Sequence, residues 1–341
     1  MPKVNYKKFI EENFLILDKQ GLRKRFVFND TQNYCYDLLK RDYPTMQGIR
    51  ENWLKFRQPG LSSFIDGIFT ADFILSALGH LPVIMGKIYS HKDDETEILF
   101  RRVEYFLESF CLLNKIDKSK FVKSNTSGRS LEAFNGAMLD IGTAGSKVSG
   151  RGGTYQNLHW SEVAFYPNTP VIDASKMVPA AEEQVAMDTG KIFREFTGNI
   201  MYDFAYEEYD RGKRGKSQFK SRFLGWWLHK EYRKRPPKDF VPDDFERILM
   251  TEHHVALEQI YWRRWKIETA KDPELAKREY PNSDLEAFLS AGTQYFNSRT
   301  LIEYERSARE PIVIGQKKVE EPVPVNESYE DRLSRITSAK I

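Results

Sequence analysis

The chain has 341 residues, 52 basic against 49 acidic side chains and a formal net charge of +3, with 40% hydrophobic residues. That length suits one large or two modest domains with a substantial core, and so small a net charge makes no case for nucleic-acid binding on its own. No apolar run reaches the about eighteen residues that span a membrane, and the first residues show no charged-then-apolar leader, so a soluble intracellular protein is expected.

In chain order, Tyr6 to Leu17 reads as an N-terminal helix, and Gln32 to Lys40 as a second one with Tyr34, Tyr36, Leu38 and Leu39 available to pack. Cys35 and Cys111 stand too far apart for a disulfide framework or metal spacing and read as buried free thiols. From 51 to 200 strand-like and helix-like runs alternate: Trp53-Leu54, an apolar helix start from Phe64 to Phe69, Leu81 to Tyr89, Glu95 to Leu113, Met138 to Thr143, Asn157 to Trp160 and Gly190 to Phe196. Alternation of this kind predicts an α/β fold, a mostly parallel sheet flanked by helices, with ligands at the carboxyl ends of the strands. Basic residues gather at Arg211 to Arg222 and Lys230 to Lys238, in segments whose glycines and prolines read as loops. Aromatics interleave with them, so Lys213, Arg214, Lys216 and Lys220 are candidates for sequence-independent contact with DNA phosphates. Residues 245–275 carry a long helical pattern, consistent with a small helical lid subdomain, and from Glu310 the chain is charged and proline-containing like a linker or tail. The expected division is 1–240 for the core, 241–300 for the helical subdomain and 301–341 for the tail.

Two segments carry chemistry. Lys55-Phe56-Arg57-Gln58-Pro59-Gly60-Leu61-Ser62-Ser63 lies between a strand and a helix start, the setting in which backbone N–H groups and a helix N-terminus hold phosphates. Ser62 or Ser63 stands where a hydroxyl would ligand Mg²⁺, but the place before Ser62, usually lysine, is Leu61. The missing cation must then come from Lys55 or Arg57. Further on, Tyr155 to Phe165 is a mostly apolar strand ending in Ser161-Glu162. Loop-type ATPases end this strand in two acids, one orienting Mg²⁺ through water and one polarising the attacking water. Here Glu162 retains the second role, and Ser161 offers a hydroxyl for a metal-bound water in place of the first acid. The same reasoning implies that an aspartate at position 161 would be tolerated.

Together these segments resemble the ATPase half of the large terminase subunit of tailed bacteriophages. The resemblance rests on Phe28-Asn29-Asp30-Thr31-Gln32, the loop from Lys55 to Ser63, Tyr89-Ser90-His91, Gly150-Arg151-Gly152-Gly153-Thr154, His159 to Phe165 and Glu195-Phe196-Thr197-Gly198-Asn199. Phe223-Leu224-Gly225-Trp226-Trp227, Glu279-Tyr280-Pro281 and Glu286-Ala287-Phe288 extend it, so that it runs from about residue 20 to about residue 296. Ser161 departs from the family's first acid, and Phe196-Thr197-Gly198 abridges its coupling motif.

The resemblance implies a loop-type, ASCE-like NTPase core hydrolysing ATP with Mg²⁺ and driving double-stranded DNA into a prohead. Gln32 would read adenine, Gln58 to Ser63 would hold the phosphates with Ser62 on Mg²⁺, and Thr197 would couple nucleotide state to DNA. Arg151 would act as a finger on a neighbouring subunit's nucleotide. The implied partners are DNA, the portal of the prohead, the small terminase subunit and further copies in a ring. The implied location is the host cytoplasm rather than the mature virion. The family's metal-dependent nuclease, with its spaced aspartates, is not evident after Phe296, so no cutting activity is expected of this chain and a separate nuclease domain or chain is a further implied partner. Two alternatives stay open: a helicase-like ATPase remodelling nucleic acid, and a catalytically silent assembly module.

Overall fold

The computed structural model describes residues 4–18, 20–123, 128–145, 154–169 and 172–289. Helix α1, Tyr6–Asn13, starts where the Asn5 side chain accepts from Lys8 N–H, and ends where Phe14 turns extended. The helix expected through Leu17 is therefore shorter. Leu15–Leu17 (β1) instead pairs antiparallel with Arg23–Arg25 (β2). The Asp18 carboxylate accepts from the N–H groups of Gln20 and Leu22, which closes the turn between them and competes with helix continuation.

The remaining elements alternate much as the apolar pattern predicts. They are α2 (Asp30–Asp42), β3 (Ile49–Lys55), α3 (Leu61–Ala77), β4 (Met85–Ser90), α4 (Asp93–Asn114), β5 (Ser130–Glu132), β6 (Met138–Thr143), β7 (Asn157–Ser161), α5 (Ala174–Glu182), β8 (Lys191–Phe196), α6 (Phe204–Lys213) and β9 (Lys220–Leu224). Seven strands form one sheet in the order β5-β6-β4-β7-β8-β3-β9. β5 pairs antiparallel with β6, and every other neighbouring pair is parallel.

β3, β7 and β8 are buried along their whole lengths. Side chains alternate between two apolar layers, as the period of a strand requires. Trp53, Ile88 and Phe193 pack with Phe14, Phe64, Phe69 and Phe106. Leu54, Tyr89 and Ile192 pack with Trp160, Phe196, Tyr209 and Phe288. Charged residues within these strands have partners: Arg194 meets Glu182 at 2.8 and 2.5 Å and Glu208 at 2.8 Å, and Lys191 meets Asp72 at 2.6 Å. Pairing of this kind is what allows charge inside a parallel sheet.

Two expectations need correction. The basic stretch Arg211 to Arg222 is a loop only over 214–219; it begins in the end of α6 and finishes in β9. The single helical pattern of 245–275 is three helices, α7 (Asp244–Glu252), α8 (Leu257–Glu268) and α9 (Pro273–Glu279), with α10 (Asp284–Leu289) after them. Helix α7 opens on a capping box between Asp243 and Glu246, and α9 on Asp272, so local caps divide what apolar spacing alone joins. These helices share a third apolar cluster with the start of the phosphate-loop candidate, in which Phe56 and Trp226 meet Leu249, Ile260 and Tyr280. The tail from residue 301 lies outside the described residues. Among those described, no helix is long and apolar enough to cross a membrane.

A candidate nucleotide site at the carboxyl ends of the strands

β3 delivers the chain into a turn whose backbone needs left-handed conformations at Gln58 (φ +58°) and Gly60 (φ +78°). Glycine takes the left-handed conformation at 60 without strain, and a Cβ there would stand 2.8 Å from Gln32 Nε2, so a larger residue would have to displace the amide that braces the turn. Asn29 and Gln32 brace this turn from behind. They cap α2 reciprocally, each side-chain oxygen accepting from the other's N–H at 2.9 Å. Their amide nitrogens then donate to the turn, Asn29 Nδ2 to Pro59 O at 3.0 Å and Gln32 Nε2 to Gly60 O at 2.7 Å. Gln32, implied as the adenine reader, is 3% exposed and in this arrangement positions the loop.

Helix α3 begins with no side-chain cap. Its first backbone bond runs from Phe64 N–H to Gly60 O at 3.1 Å, so the N–H groups of Leu61, Ser62 and Ser63 have no acceptor within the helix. Such a terminus receives anions. The Leu61 side chain points into the core and is 1% exposed. Ser62 and Ser63 line a cleft of about 600 Å³ together with Lys55, Arg57, Glu162 and Thr197.

Three strand ends meet under this helix start. Lys55, the last residue of β3, places Nζ 2.7 Å from Glu162 Oε1 and 2.8 Å from Glu195 Oε2. Glu195, near the end of β8, is fully buried, and its Oε1 accepts from the hydroxyls of both Ser62 and Ser161 at 2.8 Å. His159 Nε2 lies 3.6 Å from the same oxygen, while His159 Nδ1 lies 3.2 Å from Asp66, which in turn pairs with Arg102 at 2.8 Å. Burial pushes the Glu195 carboxyl up, but the Lys55 ammonium and His159 outweigh it and hold it well below the usual carboxylate range. Burial likewise works against the Lys55 ammonium, yet the two carboxylates raise it above the ordinary lysine value. Glu162 has φ +55°, a left-handed conformation at the strand exit. Its Oε2 accepts from both the N–H and the hydroxyl of Thr197, at 3.0 and 3.2 Å.

The loop, Lys55, Glu162 and Thr197, far apart in the sequence, thus come together at one cleft, and Ser161 lies buried behind it with its hydroxyl on Glu195. Arg57 also lines it, but its guanidinium pairs with Glu279 and its N–H donates to Glu279 O at 2.9 Å. His91, Lys92, Glu95, Arg102 and Phe165 complete the wall. Arg151 lies outside the described residues. The basic candidates sit elsewhere: Lys213 pairs with Asp284 at 2.7 Å, Arg214 with Asp210 at 2.9 Å and Lys220 with Asp42 at 3.5 Å, while Lys216 is exposed. Beyond Thr197, Gly198 packs so tightly that a Cβ there would collide with the backbone carbonyl of Ala287 in α10.

The donor set suits a magnesium–nucleotide complex: a hydroxyl at the helix start backed by a carboxylate, a second carboxylate beside it and, among the described residues of the cleft, no thiol or thioether. Sequence reasoning placed Glu195 only as the opening letter of a coupling motif. The available signal was Ser161 itself, which leaves the site one acid short, and a glutamate near the end of the next buried strand.

No family model and no curated protein matches the chain. Among solved structures it is similar to the HK97 bacteriophage large terminase, at 14% sequence identity and a TM-score of 0.52, over 81% of this chain and 53% of that one. The chain thus spans about half the length of that terminase. The ATPase domain of the Thermus phage P74-26 large terminase also aligns, at 18% identity and a TM-score of 0.43, over 69% of this chain and 87% of that one. The likeness is one of fold, a mostly parallel seven-stranded sheet flanked by helices, and at that level it bears out the resemblance read in the sequence.

Proposed function

We propose that this chain is an ATP-hydrolysing motor of phage DNA packaging, translocating double-stranded DNA into a prohead. One observation carries the reading: Lys55, Ser62, Glu162 and Glu195 converge on an uncapped helix N-terminus at the carboxyl ends of parallel strands. The fold likeness to a large terminase supports the packaging context. The N–H groups at the start of α3 would receive phosphate oxygens, and Ser62 would hold the metal that accompanies the nucleotide. Magnesium, when bound, offsets the charge on the β- and γ-phosphate oxygens. Glu162 accepts a hydrogen bond from the attacking water, aims it at the γ-phosphorus and takes up its proton. Lys55 stabilises negative charge as it develops on the transferred group, and Thr197 fixes the orientation of Glu162. The partners that accompany this reading are DNA, the portal, the small terminase subunit and further copies of the chain.

Phosphate release from ATP, measured with Mg²⁺ alone, with linear duplex DNA, and with DNA plus proheads, tests it. Turnover stimulated by proheads, and lowered roughly 10²-fold or more by Glu162→Gln, is the expected result. Stimulation by DNA with indifference to proheads would favour nucleic-acid remodelling outside a capsid. Absence of both nucleotide binding and hydrolysis would overturn the ATPase assignment.

A further inference from the structure

Ser161 occupies the place of the first acid, and its environment says how the site manages without one. β8 lies between β3 and β7, and Glu195 is in register with Trp53 on one side and Ser161 on the other. Its side chain therefore reaches the strand-end position from the adjacent strand. The Ser161 hydroxyl does not point away to hold a water; it donates to Glu195 Oε1 at 2.8 Å. The Ser62 hydroxyl, from the start of the phosphate-loop helix, donates to the same oxygen at the same distance.

We propose that Glu195 is the metal-positioning carboxylate of this site, supplying from β8 the charge that Ser161 does not supply from β7. The assignment rests on the nucleotide-site reading and deepens it. A carboxylate behind a metal-binding hydroxyl orients that hydroxyl's lone pairs toward the cation and adds negative charge beside it. Glu195 has the required contact with Ser62 and full burial, so water does not screen its charge. A counter-ion for Lys55 alone would need neither serine, and Lys55 already has Glu162 at 2.7 Å.

This arrangement reverses the expectation that aspartate would be tolerated at position 161. With Glu195 present, Ser161→Asp sets two carboxylates against each other in a buried site, and like charges at that range oppose ionisation. With Glu195→Gln, the same substitution restores one acid, and the new amide donates to it.

The test is the affinity of a fluorescent non-hydrolysable ATP analogue for the full chain, titrated with Mg²⁺ and with EDTA; the ratio of the two affinities is the readout. Wild type binds more tightly with Mg²⁺. Glu195→Gln and Ser161→Asp each reduce the ratio roughly 10–100-fold, and the double variant Ser161→Asp/Glu195→Gln recovers most of it. A residue that only stabilised the fold would give no such reciprocal rescue. Glu195→Gln with the wild-type ratio, or Ser161→Asp with the wild-type ratio, overturns the assignment while leaving the nucleotide site intact. If circular dichroism shows Glu195→Gln unfolded, Ser161→Asp and the double variant decide in the same way: a double variant no better than Ser161→Asp overturns it. Wild type that binds the analogue under neither condition overturns the nucleotide site itself, and this assignment with it.

Discussion

Thr197 donates both its backbone N–H and its hydroxyl to one oxygen of Glu162, at 3.0 and 3.2 Å, while Lys55 holds the other oxygen at 2.7 Å. The carboxylate is thus fixed at both ends, and its orientation depends on a residue of the neighbouring strand exit. Thr197→Val keeps the N–H donor and removes the hydroxyl. It should lower kcat about tenfold with little change in nucleotide affinity, because orientation of a base matters more in the transition state than in the ground state. Single-turnover hydrolysis beside an equilibrium titration separates the two quantities. A loss confined to affinity would place Thr197 on the substrate rather than on Glu162.

Lys55 and Arg57, the two candidates for the displaced loop cation, stand in different surroundings. Lys55→Ala leaves Glu195 buried beside Glu162 without its cation, a change that costs about 3–5 kcal/mol. Arg57→Ala removes an exposed pair with Glu279 worth about 0–1 kcal/mol. Urea midpoints should therefore fall steeply for the first and hardly for the second. Hydrolysis by folded Lys55→Ala should drop at least about tenfold. Equal midpoints for the two variants would contradict the buried triad.

Leu61 stands where a loop lysine is usual, yet its side chain packs in the core among Phe28, Phe64 and Ile65. Leu61→Ala should lower stability by about 2–5 kcal/mol through the cavity it leaves without weakening nucleotide binding by the folded protein. Thermal melts with and without the analogue check both halves. Weaker binding with unchanged stability would put the side chain in the cleft instead.

His159 couples the site to pH. Burial lowers its pKa, but the Asp66 and Glu195 carboxylates outweigh burial and raise it above the ordinary histidine value. A group whose folded pKa is raised contributes stability that is fully present below its unfolded pKa, about 6.5, and lost as pH rises through the folded value. The melting temperature should therefore fall across that window on going alkaline, and His159→Gln should flatten the fall. An identical pH profile in the variant would assign the dependence to another group.

Much of the fold was legible because buried parallel strands and their covering helices write continuous apolar runs. β6 falls on Met138–Thr143 as read, and β7 and β8 differ from the reading by a residue at one end. What escaped has local physical causes. Asp18 turns the chain after Leu17 with hydrogen bonds that periodicity does not register, and caps at Asp243 and Asp272 divide the helices after 243. The basic stretch read as a loop because Gly212 and Gly215 suggested one. Gly212 lies inside α6, where a Cβ would collide with the Ser221 hydroxyl, so close packing rather than a turn explains it. In the site, the loop and Glu162 carried their own sequence context. Glu195 did not, since its meaning depends on which strand lies beside which, and strand order is a property of the sheet rather than of any segment.

Gly198 has a mechanical consequence. Thr197 is bound to Glu162, and the next residue is pressed against the Ala287 carbonyl with no space for even one methyl group. With so little clearance, a displacement at Thr197 directed toward α10 meets the Ala287 carbonyl rather than open space. Gly198→Ala would force the two apart at rest, as a shim forces apart two mating parts, and any displacement passed along that line would then start from a different zero.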